Sequence, residues 1–334
     1  MEKPKVRISV RNLVEFILRS GDLDNSRGSS GDKEAMLKGG RLHRKIQRSM
    51  KGNYQAEVSL KRESEYEDVI IQVEGRADGI FTEDGEFWID EIKGTYGNLQ
   101  AMEVPVPVHR AQAMCYGWIY GEKEGLSQIG IQMTYSHLDT EDTRRFREIF
   151  SMEELKNWYQ KLLDDYHKWI SCSLSWKKER NASMKDLQFP FPYREGQREI
   201  VSGVYHTVSS KKTLFVQAPT GVGKTMSAIF PSVRAIGEGK GETLFYLTAK
   251  TITGTVAWEA FHTLRENGLK FKVTAITAKE KLCFLDSPEC TPEKCPYAKG
   301  HFDRVNDAVY ELWTTEEVYS REVIRAHAEK WQVC

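Results

Sequence analysis

The sequence predicts two α/β domains, a mixed α/β domain followed by an incomplete parallel α/β domain with a cysteine-rich insert. The chain has 334 residues, which is enough for two domains. Its first half carries strand-like runs on both sides of the turn dipeptide Asp84-Gly85. Its second half alternates apolar runs with helical patterns around a glycine-rich loop (218–225), which is typical of a parallel sheet.

The composition is that of an ordinary globular protein. Hydrophobic residues make up 40% and charged residues 29%, and the formal net charge is zero, so no global basic field favours nucleic acid. No uncharged apolar window of about 18 residues predicts a membrane span, and the start MEKPKVRISV lacks the apolar core of a signal peptide. We therefore expect a cytoplasmic protein without a membrane partner, in which clustered cysteines indicate a metal rather than disulfides.

The first domain is expected to cover residues 1–180. Apolar spacing predicts helices, and period-two patterns or apolar runs predict strands. A loop from Gly21 to Asp32 is expected to be mobile. The predicted helices are 10–20, a very basic segment 37–52, 108–121 and 152–180, and the predicted strands are 58–64, 68–81, 82–94 and 129–138.

The second domain is expected after a proline-containing linker at residues 181–192. It would cover 193–334, with the insert at about 280–334. Its predicted strands are TLFVQ (213–217), TLFYLT (243–248) and FKVTAIT (271–277).

Two acids are expected to meet across the first-domain hairpin. A two-residue turn at Asp84-Gly85 places Asp78 opposite Glu91, and like charges in that position destabilise a hairpin. A divalent cation would neutralise both, and hard oxygen ligands favour Mg²⁺ or Mn²⁺. Lys93 follows on the same strand face, where it could stabilise charge on a phosphate. The alternative is a surface hairpin whose acids point into water and pair with nearby basic side chains.

The segments GRADGI (75–80), IDEIKG (89–94) and QAMCY (112–116), with His43 upstream, resemble the RecB-like branch of the PD-(D/E)XK nucleases over residues 6–180. The resemblance implies a restriction-endonuclease-like fold and a Mg²⁺- or Mn²⁺-dependent deoxyribonuclease. It implies as metal ligands His43, Asp78, Glu91 and the carbonyl of Ile92, and as catalytic residues Asp78, Glu91, Lys93, Gln112 and Tyr116.

Each of these residues also has a structural alternative. His43 could be exposed on a basic helix, and that helix could be a solvated face rather than a phosphate-binding one. Gln112 and Tyr116, four apart on one helix face, could cap a core. Cys115 and Cys172 are too few to hold a cluster in this domain.

A phosphate-binding loop is predicted between an apolar run and a helix. In such loops glycines let the backbone wrap phosphates, a lysine reaches the outer phosphates and a hydroxyl holds Mg²⁺. The alternative is a glycine-rich turn. The loop consists of Ala218, Pro219, Thr220, Gly221, Val222, Gly223, Lys224 and Thr225, the last two being the lysine and the hydroxyl.

Residues 188–334 resemble superfamily-two helicases, and in particular the XPD/DinG family, which implies an incomplete RecA-like P-loop domain over 193–334. Upstream of the loop, Tyr193, Arg194 and Gln197 resemble the adenine-contacting element, and YLTAKTITG (246–254) resembles the next helicase motif. The resemblance implies ATP and a 4Fe-4S cluster, with zinc as the alternative metal and incidental thiols also open. The implied cluster ligands are Cys283, Cys290, Cys295 and Cys334.

The sequence departs from that family because no D-E-x-H-like acidic motif follows Met226. We therefore expect ATP binding without efficient hydrolysis, and no unwinding by this chain alone. The chain is interpreted as the N-terminal portion of a longer nuclease–helicase or a prematurely ended copy. Helicase activity, 5′ to 3′ by family resemblance, would belong to the full-length protein.

The leading functional hypothesis is a metal-dependent DNA nuclease fused to an ATP-binding helicase segment, acting in DNA repair or processing. Its expected partner is DNA that is single-stranded or has a single-stranded end. One alternative is a non-catalytic DNA-binding or regulatory fragment. Another is a P-loop ATPase that does not act on nucleic acid.

Overall fold

The computed structural model describes residues 3–26, 33–50, 52–249, 251–286 and 289–334. The predicted mobile loop at 21–32 lies outside the described residues from position 27 onward. No helix in the described ranges has both the length and the apolar character needed to cross a bilayer. The chain divides into two compact units, the first comprising Met1–Ser171, Cys283–Val309 and Ala328–Cys334, the second Cys172–Leu282 and Tyr310–His327.

The elements predicted for the N-terminal half are confirmed, including the very basic helix and the long helix after the last strand. In chain order they are β1 (Lys5–Ser9), α1 (Val10–Ile17), α2 (Lys33–Ser49), β2 (Gln55–Glu65), β3 (Ile70–Glu83), β4 (Glu86–Thr95), α3 (Pro107–Glu124), β5 (Gln128–His137), β6 (Thr143–Ser151) and α4 (Met152–Lys185). The remaining elements are α5 (Gln197–Ser209), α6 (Lys224–Gly237), α7 (Thr251–Glu266), β7 (Val273–Thr274), α8 (Lys279–Leu282), α9 (His301–Thr315), β8 (Val318–Tyr319) and α10 (Arg321–Trp331).

The first unit is built on a six-stranded mixed sheet in which β3 has three partners. Along one edge β3 pairs with β2 from residue 70 to residue 80, with a break at Glu57 and Asp78. The other edge is shared, since β1 runs parallel to residues 70–74 and β4 runs antiparallel to residues 79–83. Residues 75–78 therefore pair with neither β1 nor β4, and we call this gap the strand fork. Beyond β4 the sheet continues with β5, parallel to β4, and then β6, antiparallel to β5.

The hairpin between β3 and β4 has the predicted two-residue turn. Asp84 and Gly85 both have positive φ, 52° and 86°, as a type I′ turn requires. The pairing runs from Glu83–Glu86 to Gly79–Asp90, which confirms the predicted register. One further step along the same register brings Asp78 opposite Glu91 at the edge of the strand fork.

The second unit differs from the prediction of a parallel sheet. Residues 213–217 and 243–248 are not strands, and Phe215 and Leu247 are 92% and 89% exposed. Strands of a parallel sheet need hydrogen-bonded neighbours and cover on both faces, and these two runs have neither within the described residues. In this unit the described residues form only the two-residue strands β7 and β8, which pair in parallel, so the prediction of a RecA-like sheet is wrong for these strands.

The core of the second unit is mainly helical. Ile229 and Val233 of α6 and Leu264 of α7 are fully buried and pack in one cluster. Met184, at the end of α4, belongs to the same cluster. This packing holds α6, and hence the glycine-rich loop that precedes it, in place without strands.

Candidate functional site

Asp78 lies in the strand fork, where its side chain replaces a strand hydrogen bond. Its Oδ2 accepts a hydrogen bond from the amide of Ile92 at 2.7 Å. Its main-chain carbonyl accepts a hydrogen bond from Gln47 Nε2 at 2.9 Å, so a side chain of α2 fixes the backbone here. Both contacts hold the Asp78 carboxylate at the end of the β3–β4 pairing, next to Glu91.

Glu91 is a buried carboxylate with one of its two oxygens unpaired. The residue is 5% exposed, and its Oε1 lies 2.7 Å from Lys93 Nζ. Its Oε2 is buried and has no hydrogen-bond partner. Burial and then repulsion from Asp78 raise the pKa of the Glu91 carboxyl, although Lys93 opposes the shift. A carboxylate oxygen that is buried without a partner is costly.

His43 reaches the same carboxylates from α2. That helix packs on the sheet through Leu42 and Ile46, which cluster with Ile92. His43 Nδ1 lies 3.6 Å from Asp78 Oδ1. Burial disfavours the charged imidazole, but the interaction with the nearby Asp78 carboxylate outweighs burial, so the pKa of His43 is raised.

Gln112 and Tyr116 lie on α3 and are both buried. Tyr116 reaches the strand fork, because a Cβ added to Gly75 would stand 2.7 Å from its hydroxyl oxygen. The amide of Arg76 donates a hydrogen bond to this hydroxyl, while burial and the charge of Glu91 raise the Tyr116 pKa. Gln112 Oε1 is buried without a partner. Together with Glu91 Oε2 on β4, it is the second unpaired acceptor among the predicted site residues.

Sequence reasoning missed the polar network on the opposite face of β4. Asp90 is fully buried and accepts hydrogen bonds from Thr134 Oγ1 at 2.6 Å, Gln132 Nε2 at 3.0 Å and Tyr54 Oη at 3.1 Å. This network anchors β4 one residue before Glu91. The signal was present in β5, where Gln132 and Thr134 stand two apart within an otherwise apolar run.

The donor set fits a hard divalent cation. Carboxylate and carbonyl oxygens are what Mg²⁺ and Mn²⁺ prefer, and Glu91 Oε2 is an unpaired acceptor of this kind. Within the described part of the chain, no group of three or more His, Cys, Asp or Glu side chains already stands in metal-binding geometry. Lys93 and the Ile92 amide hold the facing oxygens, so a cation would have to exchange these bonds.

The glycine-rich loop of the second unit lies at the start of α6, as predicted. Gly221 and Gly223 have φ of 88° and 82°, a conformation that residues with a Cβ rarely adopt. Lys224 Nζ donates to the carbonyls of Ala218 at 3.0 Å and Pro219 at 2.8 Å, so it lies over the loop. The hydroxyl of Thr225 accepts a hydrogen bond from Tyr246 at 3.2 Å.

The upstream motif contacts this loop. The Arg194 guanidinium donates to the carbonyl of Gly221. Gln197 is 4% exposed, its Oε1 accepts the Arg194 amide at 3.1 Å, and its amide nitrogen would stand 2.6 Å from a Cβ at Gly223. Tyr193 stacks on Phe189 with ring centroids 4.4 Å apart. Two segments about 25 residues apart in sequence thus form one local site.

The four cysteines of the predicted insert all belong to the first unit. Cys290 and Cys295 are buried, Cys283 is half-buried and Cys334 is exposed. All six cysteines of the chain are described, and none forms a disulfide. The amide of Cys334 donates to His301 Nδ1 at 3.2 Å.

Comparisons with known proteins find a relationship over a short segment. No protein-family model matches the chain. A stretch of 47 residues is 40% identical to a probable ATP-dependent helicase of Methanocaldococcus jannaschii, covering 14% of this chain and 7% of that protein. The crystal structure of SSO0001 aligns with a TM-score of 0.31 and 20% identity, over 49% of this chain and 78% of that one. The first match relates one segment to a helicase, and the second is too low in TM-score to carry an argument.

Proposed function

We propose that the first unit is a metal-dependent deoxyribonuclease whose site is the strand fork. The observation that carries the proposal is the buried, partly unpaired Glu91 carboxylate beside Lys93 and Asp78. A purely structural hairpin would gain nothing from placing like charges together out of water. A site for a cation and an anionic phosphate would need both the acids and the ammonium.

The residues would divide the work between cation and substrate. Asp78, Glu91, the Ile92 carbonyl and His43 would hold the cation, which supplies Lewis acidity toward phosphate and lowers the pKa of a water molecule. Lys93 would donate to a non-bridging phosphate oxygen and stabilise its growing negative charge. Gln112 and Tyr116 would orient the strand or support the site from α3.

The experiment that tests this proposal is cleavage of a labelled single-stranded oligodeoxynucleotide. We expect cleavage with Mn²⁺ or Mg²⁺ and none with EDTA. A Lys93→Ala variant should lower the rate by about 10²–10³-fold, since it removes one charge-stabilising donor. As a matched control, Lys38→Ala removes an ammonium that bonds Asp139 on the surface and should leave the rate unchanged. Metal-independent cleavage, or equal rates for both variants, would refute the assignment.

For the second unit we propose ATP binding at residues 218–225, as part of a helicase-type segment. The support is threefold. Arg194 donates to the carbonyl of Gly221, Gln197 lies against Gly223, and Lys224 stands at the start of α6. We propose, as part of the same hypothesis, that this segment serves DNA unwinding in a longer protein.

Replacing Lys224 by Ala should weaken ATP binding by at least about 10-fold, because the ammonium provides charge-assisted hydrogen bonds to phosphate. Affinity for a fluorescent ATP analogue measures the effect. Lys240→Ala, three residues beyond the end of α6, keeps the loop intact and should bind as the wild-type protein does. Equal affinity of all three proteins would contradict nucleotide binding at this loop.

We further propose that the four cysteines of the insert bind a metal centre, with a 4Fe-4S cluster favoured over zinc. Protein purified without oxygen should carry about four iron and four sulfide per chain, and Cys295→Ser should lose them. Cys172→Ser, outside the insert, should retain them. About one zinc per chain would support the alternative metal, and a metal-free protein would contradict both.

A further inference from the structure

His109 stands on the same side of α3 as the two residues of the candidate site. Positions 109, 112 and 116 are spaced three and four apart, so their side chains lie along one helix face. The ring also packs near β5, with its centroid 5.9 Å from that of Tyr135. Tyr135 in turn is the neighbour of Lys93 in the β4–β5 pairing, so the two side chains share one sheet face.

The hydrogen bonds around His109 favour one of its two neutral tautomers. The amide of Val106 donates to Tyr135 Oη at 2.9 Å, which uses the hydroxyl as an acceptor. The proton of that hydroxyl is then available for His109 Nδ1 at 3.2 Å. A neutral imidazole that accepts at Nδ1 must carry its proton on Nε2. In this tautomer the N–H at Nε2 is available to a ligand, because His109 is only half-buried and its Nε2 makes no hydrogen bond to a described residue.

The surroundings favour an anion as that ligand. The charges that act on the ring are those of Lys93 and Arg11, both positive. Burial and then these two cations lower the His109 pKa to about 4, so the ring is a neutral donor at physiological pH. An uncharged N–H on which two nearby cations act is suited to a phosphate oxygen.

We propose that His109 Nε2–H donates a hydrogen bond to a phosphate of the DNA strand, next to the phosphate that Lys93 contacts. His109 is thus a further substrate-binding residue, and Tyr135 is a positioning residue that sets its tautomer. This inference rests on the proposed nuclease function.

The test combines variants with DNA that lacks one phosphate oxygen. Single-stranded oligodeoxynucleotides carry one methylphosphonate, placed in turn at each position around the cleavage site. His109→Ala should lower kcat/KM on unmodified DNA by about 10- to 100-fold, the range for a hydrogen bond to a charged group. At one methylphosphonate position the wild-type protein should lose a similar factor, and His109→Ala should lose nothing further. His109→Gln, a neutral donor, should recover part of the loss.

A second readout avoids cleavage altogether. DNA affinity measured by fluorescence anisotropy with Ca²⁺ should fall in His109→Ala and remain unchanged in His262→Ala, which alters an exposed histidine that pairs with Glu266. A structural role would instead lower the unfolding temperature and reduce cleavage of every modified substrate equally, which would overturn the inference. If the wild-type protein cleaves DNA and His109→Ala cleaves it equally well, the inference about His109 is wrong but the proposed nuclease function stands. If the wild-type protein does not cleave DNA, the proposed function is wrong as well.

Discussion

Replacing Glu91 by Gln should abolish metal-dependent cleavage and, at the same time, stabilise the protein above neutral pH. The amide keeps the size of the carboxylate but removes the negative charge that would hold the cation. It also removes a charge that the fold buries beside Asp78 and that leaves one oxygen unpaired. Loss of activity with a gain of stability is the expected signature of a functional site that is strained in its free state.

The sign of the pH dependence follows from the direction of the shift. The Glu91 pKa rises from 4.5 to about 7 on folding, so between these values the folded protein keeps a proton that the unfolded chain releases. The free energy of unfolding contributed by this group therefore falls as the pH rises through that window. The raised pKa of His43 adds a slope of the same sign, so the wild-type protein and the variant must be compared at each pH to isolate Glu91.

Thermal unfolding at pH 5 and pH 8 without divalent cations measures this effect. The variant should lie above the wild-type protein at pH 8 and close to it at pH 5. Adding Mn²⁺ at pH 8 should raise the unfolding temperature of the wild-type protein, since a ligand that binds only the folded state stabilises it, and should leave the variant unchanged. A variant less stable than the wild-type protein at pH 8 would show that the Lys93 ion pair outweighs the burial cost.

Replacing Gly130 by Ala should destabilise the first unit by about 3 kcal/mol, because the centre of the sheet has no room for a methyl group. Gly130 pairs with Trp88 between β5 and β4. A Cβ there would stand 2.3 Å from two atoms of the Trp88 ring. Trp88 is 8% exposed. Its ring stacks with Phe81, and the Arg147 guanidinium lies over it at 5.0 Å from the ring centroid, so the ring has little freedom to move.

The matched control is Gly39→Ala in α2 of the same unit. No atom lies within 4 Å of a Cβ at Gly39, and alanine in a helix interior is more stable than glycine by about 0.5–1 kcal/mol. Chemical denaturation should therefore move the two variants in opposite directions. Equal stability of Gly130→Ala and the wild-type protein would mean that the Trp88 ring can shift to make room for a methyl group at position 130.

Local patterns were sufficient to predict the hairpin at the site. The turn dipeptide Asp84-Gly85 fixes the register of β3 and β4, and the register alone brings Asp78 and Glu91 together. The strand fork could not be predicted in this way. It depends on β1 pairing with β3 across about 60 residues of sequence, and such long-range pairing leaves no local pattern.

The two wrong strand predictions, for residues 213–217 and 243–248, share one physical cause. TLFVQ and TLFYLT have the apolar character of buried parallel strands, but an apolar run specifies only what a segment would gain from burial. It does not supply the neighbouring strands that burial requires. The glycine-rich turn before α6 agrees with the sequence because its positive φ angles depend on Gly221 and Gly223 at fixed positions within a few residues. Phosphate binding by this loop stays a prediction.

The contribution of Gln47 was also beyond sequence reasoning. Its amide bonds the carbonyl of Asp78 and the carboxylate of Glu57, a residue with φ of 59° that interrupts the β2–β3 pairing. Nothing in the pattern of the basic helix α2 distinguishes this glutamine. Only the break in the β2–β3 pairing gives it a role, since it satisfies the Asp78 carbonyl that this break leaves open.

The most direct test of the central claim is the position of a manganese ion in a crystal of the protein soaked in Mn²⁺. Anomalous diffraction should show a peak within direct coordination distance of the carboxylates of Asp78 and Glu91 and the carbonyl of Ile92, with the Lys93 ammonium displaced from Glu91 Oε1. A crystal in which manganese binds elsewhere, with Glu91 still paired to Lys93 and its second oxygen facing only protein, would contradict the account.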